Sequence, residues 1–349
     1  MGFKMTHTRT RGQEIHQFIL ENVEKHKHDV VAITASKFAI SRPAVLKHIR
    51  TLIEKNILKV SGVTKNREYA LVSLVTFQKD YQITPGVEED VVWRKDILPV
   101  IKDHLSVNAV NLWQHAFTEM FNNAIDHSGG TRIIVQIFIN AINMDMAIID
   151  NGEEGIFKKI QRIMGLHDER HAILELAKGK LTTDPTRHSG EGIFFSSRMV
   201  DRFAILSGGV YFSHNHDDDS DWVLENDKDE SGTCVILKLR NNTTREARAI
   251  FDQYAPEEDN YGFTKTVVPV RLAQYGDELL VSRSQAKRLL ARFDRFRTVL
   301  LDFTGVSSIG QAFADEIFRV FMAAHTEVEI IPINMSASVS SMVTHVMTS

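Results

Sequence analysis

Glu119 and Asn123 stand four residues apart in the run Ala116-Phe117-Thr118-Glu119-Met120-Phe121-Asn122-Asn123-Ala124. Read as a helix, Phe117, Met120, Phe121 and Ala124 make one face, while Glu119 and Asn123 share another side, one turn apart. A carboxylate beside an amide oxygen suits hydrated magnesium, which takes oxygen ligands and keeps several waters. Two solvent-facing polar residues explain the pair equally well when it is taken alone. Farther along, the apolar run Met144 to Ile149 ends on Asp150-Asn151-Gly152-Glu153-Glu154-Gly155. A carboxylate at a strand end can accept from an adenine amino group, and glycines let the backbone approach a base or phosphates closely. Gly190-Glu191-Gly192 then opens a helical run, whose free N–H groups and positive dipole end favour phosphate. Ser231-Gly232-Thr233 enters an apolar strand at Cys234, where a threonine hydroxyl could meet a purine edge.

Each stretch is weak evidence by itself, but their order is not arbitrary. A Glu-x-x-x-Asn-Ala helix, an Asp-x-Gly turn, a Gly-x-Gly helix start and a Gly-Thr strand, over roughly residues 100–240, resemble the four boxes of the Bergerat-fold ATPases. These are the gyrase, heat-shock-chaperone and histidine-kinase-like, or GHKL, proteins. The resemblance implies an α/β two-layer sandwich that binds ATP and Mg2+. It implies Asn123 as the magnesium ligand, Asp150 on the adenine amino group, Gly152 and Gly155 shaping the adenine pocket, Gly190 and Gly192 beside the phosphates, and Thr233 near the base. Residues 156–189 would form a lid, with Lys178, Lys180 and Arg187 as phosphate contacts. Glu119 would be the catalytic general base. The turn after Asp150 is one residue longer than the usual Asp-x-Gly-x-Gly-Ile, and Gly192-Ile193-Phe194-Phe195 replaces the usual second Gly-Leu.

These boxes need positioning elements on both sides. Residues 11–56 carry three helical patterns, the third opening with Ser41 as a cap and Pro43 in its first turn. Val45, Ile49, Leu52 and Ile53 make its buried stripe, and Arg42, Lys47, His48 and Arg50 lie off it. Two alternating segments follow, residues 57–60 and 68–72, joined through Gly62, Lys65, Asn66 and Arg67. The pattern resembles a winged helix-turn-helix, which implies DNA contact through Ser41, Arg42, Lys47, His48, Arg50, Lys65 and Arg67. Residues 1–72 hold 13 Lys/Arg against 6 Asp/Glu, a balance of +7 that leaves −11 for the rest of a chain whose total is −4. Such asymmetry suits different partners for the two parts.

At the other end, Thr266 to Val270, Thr298 to Val306 and Val328 to Pro332 read as strands alternating with helices, a small α/β domain. The core Leu301-Asp302-Phe303-x-x-Val306-x-x-Ile309 resembles the STAS domains of anti-sigma-factor antagonists. Those carry a phosphorylatable serine directly after the isoleucine. Here Gly310-Gln311-Ala312 stand in that place, with Ser307 and Ser308 just before it, so a docking or dimerisation module is the better reading.

The expected organisation is thus an α/β multidomain chain: 1–74 winged helix-turn-helix, 75–98 linker or arm, 99–245 GHKL-type ATPase, 258–349 STAS-like. The expected function is an ATP-gated, DNA-binding regulator, acting as a homodimer with a protein partner at the STAS-like domain. The alternatives are a serine/threonine kinase of the anti-sigma class and a stress or defence effector. A histidine kinase is disfavoured, because the chain before residue 100 is too short for a paired phosphoacceptor helix; His115 and His127 read as local packing. Cys234 is a lone thiol in an apolar run, and so reads as core. No run of eighteen apolar residues occurs and no apolar signal segment opens the chain, so a cytoplasmic setting without a membrane span is expected.

Overall fold

The computed structural model describes residues 11–63, 66–181, 190–216, 220–254, 263–274 and 278–348, the side chains of 220–222 and 225–230 excepted. It is a mixed α/β chain of several sheets. The first unit has helices α1 (Arg11–Asn22), α2 (Val30–Phe38) and α3 (Arg42–Glu54), then the antiparallel pair β1 (Leu58–Ser61) and β2 (Glu68–Leu71). Ser41 caps α3 by accepting the Ala44 N–H, with Pro43 in the first turn. Val45, Ile49 and Leu52 are buried with Ile15, Ile19, Val30, Leu58 and Tyr69 in a small core separate from the rest.

The stretch expected to be a linker is instead part of the second unit. β3 (Val75–Gln82) is the edge strand of a five-stranded sheet, paired antiparallel with β4 (Arg132–Ile139), Phe77 opposite Ile137 and Tyr81 opposite Ile133. The strand was illegible because Lys79 interrupts its inward stripe of Val75, Phe77 and Tyr81. The Lys79 ammonium escapes the core by reaching Asp96, which also accepts from the Tyr81 hydroxyl. Residues 89–101 are helical, as α4 (Glu89–Val92), a π-helical turn Trp93–Ile97 and α5 (Leu98–Ile101).

Then come α6 (Val107–His127), β4, β5 (Asn143–Asp150), α7 (Ile156–Met164), α8 (Glu169–Lys178), α9 (Gly192–Met199), β6 (Arg202–Asn215), β7 (Ser220–Arg240) and α10 (Ala247–Tyr254). The sheet order is β3-β4-β5-β7-β6, antiparallel throughout. Strict alternation puts Ile133, Val135, Ile137, Met144, Met146 and Ile148 on one buried face, where Trp113, Phe117 and Phe121 of α6 meet them.

The last unit is β8 (Lys265–Pro269), α11 (Arg283–Leu290), β9 (Thr298–Asp302), α12 (Gln311–Asp315) running through a π-helical stretch Glu316–Phe321 into α13 (Met322–Ala324), β10 (Glu329–Ile333) and α14 (Ala337–Thr348). Its sheet is parallel, in the order β10-β9-β8. Ser282 caps α11 in a full capping box with Gln285.

α8 joins the two larger units, packing against α7, α9 and β6 on one side and against β8 on the other. At its end Lys178 is fully buried. Its ammonium pairs with buried Glu175 and donates to the carbonyls of Ala291 (2.9 Å) and Arg288 (3.3 Å), while Thr266 Oγ1 donates to the Lys178 carbonyl (2.7 Å). Arg292 bonds Glu175 Oε2 at 2.9 Å. Burial alone would push the Glu175 carboxyl up; the His171 ring, Lys178 and Arg292 outweigh it and hold Glu175 down at about 2. Among the described residues no helix is long and apolar enough to cross a membrane.

Two measurements test this packing. Glu175→Ala leaves a buried ammonium without its counterion and should cost about 3–5 kcal/mol of unfolding free energy, whereas Glu175→Leu with Lys178→Met and Arg292→Met should fall well short of that loss in the same denaturant titration. In the first unit, burial, His48 and Lys55 together hold the His16 imidazole below its ordinary 6.5. The unfolded chain therefore binds a proton that the folded unit refuses, so stability is intact above 6.5 and falls as pH drops beneath it. Amide exchange in α1 and α3 should quicken, relative to its intrinsic pH dependence, as pH falls below 6.5, and His16→Gln should flatten that response.

Candidate functional site

Helix α6, the end of β5, the middle of β7 and the start of α7, with Ile193 of α9 and Ile205 of β6, enclose a cleft of about 460 Å³, counting the space open to solvent. Asn123, Asp150 and Thr233, picked from three separate stretches of sequence, all line it. The apolar wall comes from Met120, Ile148, Ile156, Ile193, Ile205 and Val235.

Asp150 ends β5 as a buried carboxylate. Its Oδ1 accepts the N–H of Gly152 (2.9 Å) and of Thr233 (3.2 Å). Burial pushes this carboxyl above its ordinary range, and the two N–H bonds and the Lys159 charge work against that shift. Neither bond uses Oδ2. Thr233 meets the aspartate through its backbone; its hydroxyl accepts the Ile156 N–H (3.2 Å) at the first turn of α7 and lies 3.3 Å from Ser207 Oγ. The threonine hydroxyl thus orients the helix after the turn.

Glycines let these segments touch. A Cβ on Gly152 would lie 2.4 Å from the Ser128 carbonyl, and one on Gly155 would lie 2.1 Å from Ser207 Oγ and 3.1 Å from the Gly208 nitrogen. The lengthened turn therefore still delivers Gly155 to a place where only glycine fits. Gly232, at φ +84°, passes so close to Asp150 that a Cβ would sit 2.3 Å from its carbonyl oxygen. A Cβ on Gly192 would lie 2.0 Å from Glu119 Oε2. The half-buried Glu119 side chain thus rests against the first residue of α9, at the mouth of the glycine turn rather than in the wall of the cleft.

Asn151 fastens the turn to the start of β4, its Oδ1 accepting the N–H groups of Thr131 and Arg132. Lys159 donates to the His127 carbonyl at the end of α6, and Glu154, on the cleft rim, pairs with Arg162. Burial first, and then the Asp150 charge, push the Cys234 thiol up to about 11, so it stays a thiol, as its apolar setting suggested. Among the described residues no group of three or more His, Cys, Asp or Glu is gathered to hold a metal.

Other expected site residues lie elsewhere. Lys180 and Lys178 were expected on phosphates. Lys180 Nζ instead donates to the Arg295 carbonyl (3.0 Å) and sits over the Phe263 and Phe296 rings, and Lys178 is buried against α11. Both lysines follow α8 into the last unit because carbonyl acceptors and aromatic faces await them there. Arg187 lies outside the described residues. In the first unit Ser41, Arg42, Lys47, Arg50 and Arg67 are exposed, and Lys65 lies outside the described residues. His48 is corrected: it is half-buried, turned toward α1, with Nδ1 3.1 Å from His16 Nε2.

Sequence reasoning missed Ile205 and Ser207, because β6 was not read as a strand; the run Phe203-Ala204-Ile205-Leu206 was the available signal. It also missed Glu154 and Lys159, which carry no motif.

Leu280 bridges to Ile309, and a Cβ on Gly310 would meet the Val281 Cα at 2.8 Å. Residues 285–340 match a STAS-like domain of unknown function (DUF4325). The STAS-like resemblance of the last unit thus stands for that segment. No curated protein matches the chain. Among solved structures, a crystal structure of an IclR transcriptional regulator from Alicyclobacillus acidocaldarius aligns over 70% of this chain and 96% of that one, at 13% identity and a TM-score of 0.22. An overlap that loose carries no argument about architecture or activity.

Gly155→Ala tests the packing beneath the cleft. It should lower stability by about 1–3 kcal/mol in thermal or denaturant unfolding, and Ser207→Ala in the same chain should recover part of the loss.

Proposed function

We propose that this chain is a nucleotide-responsive regulator of DNA. Its cleft takes ATP with magnesium in the manner of the GHKL (Bergerat-fold) ATPases, and its first unit contacts DNA as a winged helix-turn-helix. The observation that carries the reading is Asp150: a buried carboxylate with Oδ1 held by two backbone N–H groups, leaving Oδ2 as an acceptor for an exocyclic amino group. The apolar wall beside it suits a purine face. The domain assignment follows as 1–74 for DNA, 99–245 for nucleotide with β3 added to its sheet, and 258–349 for the STAS-like module.

The residues fit a magnesium nucleotide. Glu119 and Asn123 offer oxygen donors one turn apart on α6, and the missing Cβ of Gly192 admits Glu119 to the start of α9. Bound magnesium would supply charge neutralisation for the triphosphate at that place. The N–H groups opening α9 would hold phosphate oxygens, and a Glu119 carboxylate oxygen would accept the proton of the attacking hydroxyl or water. Gly310 supports hydrolysis or sensing over a kinase acting on its own C-terminal unit, since a side chain there would displace Val281. The C-terminal unit is then a docking or dimerisation module. Exposed Arg42, Lys47 and Arg50 on α3, with Arg67, support the DNA assignment.

Calorimetry with MgATP tests the site. Asp150→Asn should weaken binding at least about tenfold, while Glu119→Ala should retain binding and lose phosphate release. Unchanged affinity in Asp150→Asn would mean that the base sits elsewhere. Labelled γ-phosphate appearing on protein instead of in solution would favour the kinase. DNA affinity should change with nucleotide, fall steeply with salt, and drop in Arg50→Ala.

A further inference from the structure

Lys180 stands where the cleft-bearing unit meets the last unit. It follows Gly179 at the end of α8 and adopts φ +51°, a left-handed conformation. Its neighbour Leu181 donates its N–H to the Gly190 carbonyl at 3.0 Å, so Lys180 is one residue from the clip that leads into the Gly190-Glu191-Gly192 turn. Its ammonium is engaged by the last unit. Nζ donates to the Arg295 carbonyl at 3.0 Å and lies 5.1 Å from the Phe296 ring centre and 5.7 Å from that of Phe263. The Lys180 carbonyl accepts from Arg292 and Arg295 of the same unit. Burial lowers this ammonium from its ordinary value; Glu191 works against that lowering and Arg295 with it. The Glu191 contribution means that the cation, though bonded to the last unit, lies within electrostatic reach of the glycine turn.

The last unit offers this ammonium one neutral carbonyl and two aromatic faces, and a polyphosphate oxygen is a stronger partner than these. We propose that the C-terminal unit is a brake on the nucleotide site: docked, it engages Lys180 at the Arg295 carbonyl and the Phe296 ring, and a bound triphosphate competes for the same ammonium. This rests on the ATP reading above and adds its regulation. Because coupling is reciprocal, the factor by which docking weakens ATP is the factor by which ATP loosens the C-terminal unit. The nucleotide state of the cleft is thereby made legible at residues 292–296, far along the chain from the cleft.

The test uses the full chain, MgATP titrated by calorimetry, and three variants: Phe296→Leu, Lys180→Met, and the two combined. Phe296→Leu keeps most of the apolar volume and removes a ring face from Lys180, so it should tighten ATP several-fold. Lys180→Met should weaken ATP by about tenfold. In the combined variant the Phe296→Leu gain should vanish. If Phe296→Leu fails to fold by circular dichroism, Arg292→Gln, which releases the Lys180 carbonyl, takes its place in the same cycle. Amide exchange at residues 295–297 should also quicken when MgATP is added. Unchanged affinity in Phe296→Leu, or an equal gain in the Lys180→Met background, overturns the brake while leaving the cleft as an ATP site. Absence of MgATP binding by the wild type sinks the ATP reading itself and the brake with it.

Discussion

A lysine ammonium with no exposed surface cannot stay charged without a carboxylate beside it, and in this chain that requirement is met by Glu175, three residues before Lys178 on α8. Desolvating such a pair takes back most of what the attraction returns, so its consequence lies less in stability than in position. The remaining donors of Lys178 are satisfied at the Ala291 and Arg288 carbonyls, and the two terminal nitrogens of Arg292 donate to Glu175 and to the carbonyls of Gly179 and Lys180. One docking of α8 on the last unit satisfies these groups together. The path of Gly179, Lys180 and Leu181 follows from it, then the clip to Gly190, and then the place where α9 begins.

A second constraint is the closeness of backbone around Asp150. Four glycines let the end of β5, the start of α7, the entry to the Cys234 strand segment and the start of α9 approach without a Cβ between them. The carboxylate is left with an acceptor oxygen in a largely apolar cleft, which raises its proton affinity and sharpens its choice of partner. The rigid sheet carries Asp150 and Thr233, whereas α9 and the α8 segment are tied through an aromatic cluster of Phe194, Phe195, Phe263 and Phe296 to the last unit. The half of the site that would meet a base is thus anchored to the sheet, and the half that would meet phosphates is anchored to a neighbouring unit.

Much of this was legible in the sequence. The 3.6-residue period in α3 and α6 is a local property, so Val45, Ile49 and Leu52 were assignable to a core, and Glu119 with Asn123 to one side of a helix. Asp150 at a strand end, followed by glycines, was legible for the same reason. β3 was not, because Lys79 breaks the alternation and its justification, Asp96, lies on a helix seventeen residues away. His48 read as an exposed basic residue of α3, yet α1 brings His16 to it from thirty-two residues upstream. Thr233 lines the cleft, and what no local pattern showed is that its hydroxyl accepts the Ile156 N–H at the start of α7.

The sequence by itself determined which residues could do chemistry and on which local elements they ride, because helical period, strand alternation and glycine turns depend on neighbours in the chain. Tertiary structure decided which of them meet. It brought Asn123, Asp150 and Thr233 to one cleft through strand pairing across more than eighty residues, and it set Glu119 against Gly192. It also took Lys180 away, since a long, flexible cation goes to whichever acceptors the fold brings within reach, and those acceptors lie more than a hundred residues further along the chain.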